Sequence, residues 1–223
     1  MQVKAVIFDV DGTLLNTERI YMEAWRRAAI ELGFRMDEEY LLKTRAIDNT
    51  TASGIFKEYY GTEHTYEETR LIRVRVAEEM IDEISPDKLH KVGVPKVLDR
   101  LKDNGILMAT ATSTSFEKHE KHIKKAGIYN YFPVQITGDM VSRGKPFPDI
   151  FLKAAEGLNV APENCIVCED SRAGIEAAHN AGMIPVFIKD CVPANDMVRD
   201  YAYAMPETLL ELPEIIKSVG SIN

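Results

Sequence analysis

Four short stretches of the chain carry side chains whose types and spacing suit the handling of a phosphate group. In Asp9-Val10-Asp11-Gly12-Thr13 two carboxylates stand two residues apart after an apolar run, and Gly12 lets the chain turn sharply. Residues at that spacing on a strand project to one side, so both carboxylates meet the same crevice. In Cys168-Glu169-Asp170-Ser171 two further acidic residues close a second apolar run. Like charges ~4 Å apart repel by about 4 kcal/mol at an effective dielectric of ~20, so four carboxylates at one edge call for a cation. Hard oxygen ligands in small number suit Mg²⁺, which keeps several waters and binds one or two carboxylates plus a substrate phosphate. Gly144-Lys145-Pro146-Phe147-Pro148-Asp149 holds a lysine in a loop stiffened by two prolines. Thr112-Ser113 offers a hydroxyl and following amides able to grip a phosphate oxygen. Each stretch alone has a plainer reading: an acidic turn, acidic residues at a helix N-terminus, a solvated lysine. Their joint placement, each at the carboxyl end of an expected strand, singles them out.

The elements that must position these residues alternate in type. Apolar runs at Val3–Phe8, Ile106–Ala111, Val134–Thr137, Ile166–Cys168 and Ile184–Ile188 read as strands covered on both faces, as in a parallel sheet. Punctuated helices lie between them. Pro95 opens one that Gly105 closes, Ser115 caps one that Gly127 ends, and Ser171 caps one that stops at Gly182. The expectation is an α/β fold with a Rossmann-like parallel sheet in a three-layer α/β/α core.

Residues 16–88 break the alternation. Thr17–Gly33 reads as a helix with Tyr21, Trp25, Ala28, Ala29 and Leu32 along one stripe, and Asp48–Tyr60 as another. Thr65 and Glu68 form a capping-box pattern ahead of a helix with Leu71, Val74, Ala77, Met80, Ile81 and Ile84 at helical spacing, ended by Ser85-Pro86. The expected division is an α/β core of residues 1–15 and 89–223 and an inserted all-helical cap of residues 16–88. Ligands of parallel α/β sheets bind beyond the carboxyl ends of the strands, so an insertion at that edge is placed to act as a lid.

Composition excludes several classes. Lys and Arg number 27 against 35 Asp and Glu, a net charge of −8 with no basic stripe, so nucleic acid and anionic membranes are not expected partners. The first apolar run falls far short of the ~18 residues of a membrane span and lacks the flanks of a signal peptide. Three cysteines without framework spacing point to a reducing, cytoplasmic setting. Cys165 and Cys168 spell C-x-x-C, but residues three apart on a strand face opposite ways, so a buried core role is expected. His119 and His122 sit among Glu and Lys and read as part of a solvated face. Tyr59-Tyr60 is expected inside the cap. Arg70, Arg73 and Arg75 are expected on its outer face, with one of them able to reach a substrate anion.

With the four stretches in order, the sequence resembles the haloacid dehalogenase-like superfamily, and within it the β-phosphoglucomutase-like branch with a helical cap after the first motif. FDVDGTLL, ATATS with Thr112, GKPFPDIF and CEDSRAGIEAA match its four motifs. The match spans essentially the whole chain, the cap matching in layout and in Thr17 and Trp25. The resemblance implies Asp9 as nucleophile and Asp11 as general acid/base. It implies Mg²⁺ held by Asp9, the Asp11 main-chain carbonyl and Asp170, with Glu169 direct or through water, and Thr112 and Lys145 on the transferring phosphoryl group. Dehalogenating members lack the second Asp, so Asp11 favours phosphate esters. Ser113 on the core side, and Thr17, Thr44, Arg45 and Asn49 on the cap side, are the candidates for substrate contact.

The leading expectation is a phosphatase of a small phosphorylated metabolite, a sugar phosphate or similar, working as a monomer. A β-phosphoglucomutase-type mutase would pass the phosphoryl group to a second sugar hydroxyl instead of water, provided the cap excludes water. Two departures weigh against it: Tyr21 stands where mutases of this branch carry a His. Thr44-Arg45-Ala46-Ile47 stands where they carry Gly-x-x-Arg. A non-catalytic binding protein on the same fold is the alternative from another class. Against it, every motif position holds a competent residue.

Overall fold

The computed structural model describes residues 2–44, 49–191 and 193–220. These divide into two compact units, Thr17–Ser85, and Met1–Asn16 with Pro86–Asn223. The first of these is all-helical: α1 (Thr17–Glu31), α2 (Glu38–Lys43), α3 (Asn49–Tyr60) and α4 (Tyr66–Glu83). Its core is aromatic. Tyr40 and Phe56 are fully buried and meet edge to face at 5.6 Å, with Tyr59 and Tyr60 half-buried around them. Thr65 caps α4 by accepting the Glu68 amide at 3.2 Å. The buried face of α4 runs through Tyr66, Thr69, Val76, Ala77 and Ile81, whereas Leu71 is 59% exposed. Ala77 and Ile81 of the expected stripe are buried and Val74, Met80 and Ile84 half-buried, so the correction falls on Leu71, while the polar Thr69 joins the inner face.

The second unit is built on a parallel sheet of β1 (Ala5–Phe8), β2 (Leu107–Thr112), β3 (Val134–Thr137), β4 (Cys165–Glu169) and β5 (Ile184–Phe187), in the order β3-β2-β1-β4-β5. Register pairs Phe8 with both Thr110 and Cys168, and Thr112 with Thr137. The residues after Phe8, Thr110 and Cys168, namely Asp9, Ala111 and Glu169, therefore come side by side at the carboxyl edge. Strand order reverses at β1, the switch point where such sheets open a crevice. Among the described residues seven helices accompany it: α5 (Pro86–Leu89), α6 (Val94–Asp103), α7 (Phe116–Lys125), α8 (Asp149–Leu158), α9 (Arg172–Asn180), α10 (Asp196–Tyr201) and α11 (Leu212–Gly220). One face of the sheet (Ala5, Ile7, Ala109, Ala111, Val167) packs on Phe151 and Ala154 of α8. On the other face Phe8 meets Phe132 edge-on at 6.1 Å. The expected α/β class with a parallel sheet and flanking helices is the observed one, and no described helix is long and apolar enough to cross a membrane.

Two local expectations need correction. His119 and His122 are buried rather than solvated, at 1% exposure each. The FEKHEKHIKK sequence of α7 offers Ile123 as its one buried aliphatic, so the histidines supply the rest of its inner face, and His119 Nε2 lies 3.1 Å from the Thr110 hydroxyl. Ser115 does stand at the N-cap of α7 but makes no side-chain capping bond. Asp139 takes the Phe116 amide instead, at 3.2 Å. Cys165 and Cys168 are both buried and free, and burial raises both thiols, that of Cys165 to about 11.

Candidate active site

The sheet pairing carries directly into the site, since the Asp9 amide donates to the Cys168 carbonyl at 2.9 Å. Lys145 Nζ lies 2.6 Å from Asp9 Oδ1 and 2.7 Å from Glu169 Oε1, and donates to the Ala111 carbonyl at 3.2 Å. One ammonium thereby joins the ends of β1, β2 and β4. Glu169 Oε2 accepts the Ser171 amide, and Asp170 Oδ1 accepts the Thr13 hydroxyl at 3.4 Å. Ser171 in turn caps α9 by accepting the Gly174 amide at 3.0 Å. Ligand atoms of Asp9, Glu169 and Asp170 all lie within 4.8 Å of one another, and all three residues are buried.

Two glycines make this convergence possible. Gly12 has φ +87°, and a Cβ there would lie 2.2 Å from Asp170 Oδ2. At Gly174 a Cβ would lie 1.9 Å from Glu169 Oε1. A side chain at either position would force a carboxylate out of the cluster.

Lys145 is shared between two buried carboxylates, with a third, Asp170, beside them. Burial pushes the Asp9 carboxyl up to about 8; Lys145 pulls it down and Glu169 adds to the rise. Burial alone would depress Lys145, but the Asp9 and Glu169 carboxylates outweigh it and hold the ammonium above its ordinary value. The two tendencies conflict for the pair, and a 2.6 Å contact favours the ionised form of both. Ionised Asp9 then bears the cost of burial, which a divalent cation among these oxygens would offset. The donor set, carboxylate oxygens without sulfur or imidazole, fits a hard cation of the Mg²⁺ kind.

Asp11 is not one of these three carboxylates, and threonine hydroxyls bind it. Its Oδ2 accepts the Thr114 hydroxyl at 2.9 Å and the Thr112 hydroxyl at 3.4 Å. Ser113, between them, is exposed. Thr114, Gly174 and Gly138 were not singled out from the sequence. Thr114 sits two residues past Thr112, and only its alignment on Asp11 marks it.

The model of the family described as haloacid dehalogenase-like hydrolase matches residues 6–188. The chain belongs to this family. A phosphorylated carbohydrates phosphatase of Thermotoga maritima is 35% identical over 185 residues, covering 83% of this chain and 84% of that protein. A β-phosphoglucomutase of Bacillus subtilis is 30% identical over 189 residues, 82% of each. The solved structure of CbbY from Rhodobacter sphaeroides in complex with phosphate superposes with a TM-score of 0.74 at 26% identity, over 95% of this chain and 96% of that one. The chain is thus an enzyme of the β-phosphoglucomutase-like branch of the haloacid dehalogenase-like hydrolases.

The helical unit of this hydrolase holds a cavity of about 200 Å³. Thr44 and Asn49 line it, beside Tyr21, Trp25, Arg70 and Arg73. Arg45 lies outside the described residues. Thr17 is buried in the first turn of α1 and does not line the cavity. Arg75 points outward to Glu31 and Glu79, but Arg70 and Arg73 do not share its face, correcting the expected outer stripe. The Arg73 guanidinium lies 4.4 Å from the Tyr21 ring centroid, a cation–π contact.

Proposed function

We propose that this haloacid dehalogenase-like hydrolase is a Mg²⁺-dependent phosphatase. Its substrate is a small phosphomonoester, a sugar phosphate or related metabolite, and its phosphoryl carrier is Asp9. The observation that carries this reading is the unequal treatment of two carboxylates two residues apart. Asp9 is ion-paired to Lys145 beside Glu169 and Asp170, while Asp11 is held by threonine hydroxyls. Carboxylates given different surroundings take different roles, here nucleophile and proton carrier.

An Asp9 oxygen attacks phosphorus as the ester P–O bond breaks, and the leaving oxygen takes the proton of the Asp11 carboxyl. Asp11, now a carboxylate, accepts a proton from the water that attacks the phosphorus carried on Asp9. Phosphate departs, and both side chains return to their starting forms. Lys145 and the Thr112 hydroxyl bind the phosphoryl oxygens, and the ammonium offsets the repulsion between a carboxylate and a phosphate dianion. Asp9, Asp170 and the main-chain carbonyl of Asp11 would hold Mg²⁺, which supplies further charge neutralisation. Both Glu169 oxygens already accept hydrogen bonds, from Lys145 and Ser171, which favours Glu169 orienting the lysine over direct ligation.

Asp9→Asn is expected to lower phosphate release by a factor on the order of 10⁴ or more. Excess chelator should abolish it and added Mg²⁺ restore it. Unchanged turnover in either experiment defeats the reading, and the first would leave a binding protein as the alternative. The mutase reading draws support from the Bacillus subtilis relative. Against it, Tyr21 is engaged under Arg73 where mutases of this branch carry a His. Phosphorus NMR with Mg²⁺, β-glucose 1-phosphate and catalytic glucose bisphosphate separates the two. Free phosphate supports the phosphatase, and glucose 6-phosphate reverses the ranking.

A further inference from the structure

Asp11 is aligned by a residue whose position is fixed from the far side of the sheet. Thr114 Oγ1 donates to Asp11 Oδ2 at 2.9 Å, the shorter of the two hydroxyl contacts to that oxygen. The Thr114 amide donates to Thr112 Oγ1 at 3.2 Å, so the two threonines are also tied to each other. Beyond β3, the Gly138 amide donates to the Thr114 carbonyl at 3.1 Å. A Cβ on Gly138 would lie 2.4 Å from the Ser113 carbonyl oxygen, so only glycine lets the two segments approach this closely. Asp139 adds a second tie, accepting the Phe116 amide at 3.2 Å and the Thr137 hydroxyl. A continuous run of contacts thus leads from β3 through residues 112–116 to one oxygen of Asp11.

We infer that Thr114 is the positioning residue of the acid/base. By donating to Oδ2 it assigns the exchangeable proton of Asp11 to Oδ1 and fixes the direction in which that oxygen points. Thr112, the longer contact and the end of β2, also serves the phosphoryl group in the proposed reaction. Thr114 is then the hydroxyl that stays with Asp11 while Thr112 turns to substrate. This rests on the reading of Asp11 as general acid/base proposed above. In the step concerned the P–O bond breaks, its electron pair passes to the leaving oxygen, and that oxygen takes the proton from Oδ1. A carboxyl without Thr114 rotates about its Cβ–Cγ bond and delivers that proton less often. The loss therefore grows with the basicity of the leaving oxygen.

The test compares kcat/KM for phenyl phosphate, whose leaving oxygen needs the proton more, with that for p-nitrophenyl phosphate, whose leaving oxygen needs it less. Both are measured in Mg²⁺ on wild type, Thr114→Val and Thr114→Ser. The phenyl to p-nitrophenyl ratio is expected to fall about tenfold in Thr114→Val, the scale of one lost hydrogen bond to a charged group, and to recover in Thr114→Ser. In an Asp11→Asn background Thr114→Val should lower the ratio no further. A parallel change in both substrates, or a further fall in the Asp11→Asn background, shows Thr114 to be merely structural and overturns the inference. Wild-type protein that releases phosphate from neither ester overturns the phosphatase reading, and this inference with it.

Discussion

Gly174→Ala sets two effects of opposite sign against each other. The position lies in the first turn of α9, where helix propensity alone would favour Ala by up to ~1 kcal/mol. The added Cβ, however, would stand 1.9 Å from Glu169 Oε1, 2.0 Å from Cδ and 2.5 Å from Cγ, against an ordinary contact of 3.4 Å or more. Glu169 must therefore retreat by about 1.5 Å (3.4 less 1.9), and at 1% exposure it has no solvent to swing into. The move breaks its 2.7 Å bond to Lys145 and its bond from the Ser171 amide. Overpacking costs ~1–3 kcal/mol, and each hydrogen bond to a charged group is worth ~1.5–3 kcal/mol. The lower ends give a loss of about 4 kcal/mol, or ~3 kcal/mol after the gain in propensity. For a chain of this size that is a fall in Tm of ~6–12 °C. Calorimetric melts of wild type and variant in Mg²⁺ give the answer, with phosphate release expected to fall alongside because Lys145 loses a partner. A Tm equal to or above that of wild type would show that propensity decides and that Glu169 is not held as described.

Lys145→Met removes the ammonium hydrogen-bonded to Asp9 and Glu169 and leaves both buried without it, a loss of ~3–5 kcal/mol in the absence of metal. Because a bound cation stabilises only the folded form, the difference in Tm between Mg²⁺ and chelator should be larger in this variant than in wild type; an equal difference would refute the placement of the metal. His119 is buried with its pKa held below the ordinary value, chiefly by burial, with Asp11, Gln135 and Glu120 opposing and His122 assisting. The unfolded chain therefore binds more protons near pH 6.5, and the stability His119 contributes is present above that pH and lost as pH falls below it. Urea denaturation at about pH 7.5 and 5.5 should show a smaller drop for His119→Gln than for wild type, and equal drops would count against the assignment.

What could be read from the sequence follows from which interactions are local. The strand runs ending at Phe8 and Cys168 and the cap pattern at Thr65 and Ser171 were legible because each is decided within a few neighbouring residues. The strand order and the carboxyl-edge placement then bring Asp9, Lys145, Glu169 and Asp170 together. Thr114 was not legible, because its meaning comes from Gly138 and Asp11, 24 and 103 residues away along the chain. The burial of His119 and His122 escaped for a related reason. Charged neighbours mark a helix as amphipathic, but only packing against β2 shows which of its polar residues face inward. In α4 the inward positions include Thr69, while the apolar Leu71 points out, so hydrophobicity misreads the first turn of the stripe but not Ala77 and Ile81.

A two-residue spacing delivers Asp9 and Asp11 to the same edge, yet it cannot by itself make them differ. The difference arises from the turn between them and from what each neighbouring strand offers. After Asp11 the positive φ of Gly12 turns the chain, and its missing side chain admits Asp170 to within the cluster around Asp9. On the other side β2 ends in Thr112 and continues through Thr114, which is braced by Gly138, so the hydroxyls available there fall to Asp11. Carboxylates at and just beyond the end of β4 thus converge on one member of the pair, and hydroxyls at and just beyond the end of β2 on the other. A nucleophile needs charge held beside it, and a proton carrier needs a fixed direction. Placing the β1 end between β2 and β4 supplies both from opposite sides, so the roles proposed for Asp9 and Asp11 depend on their different neighbours.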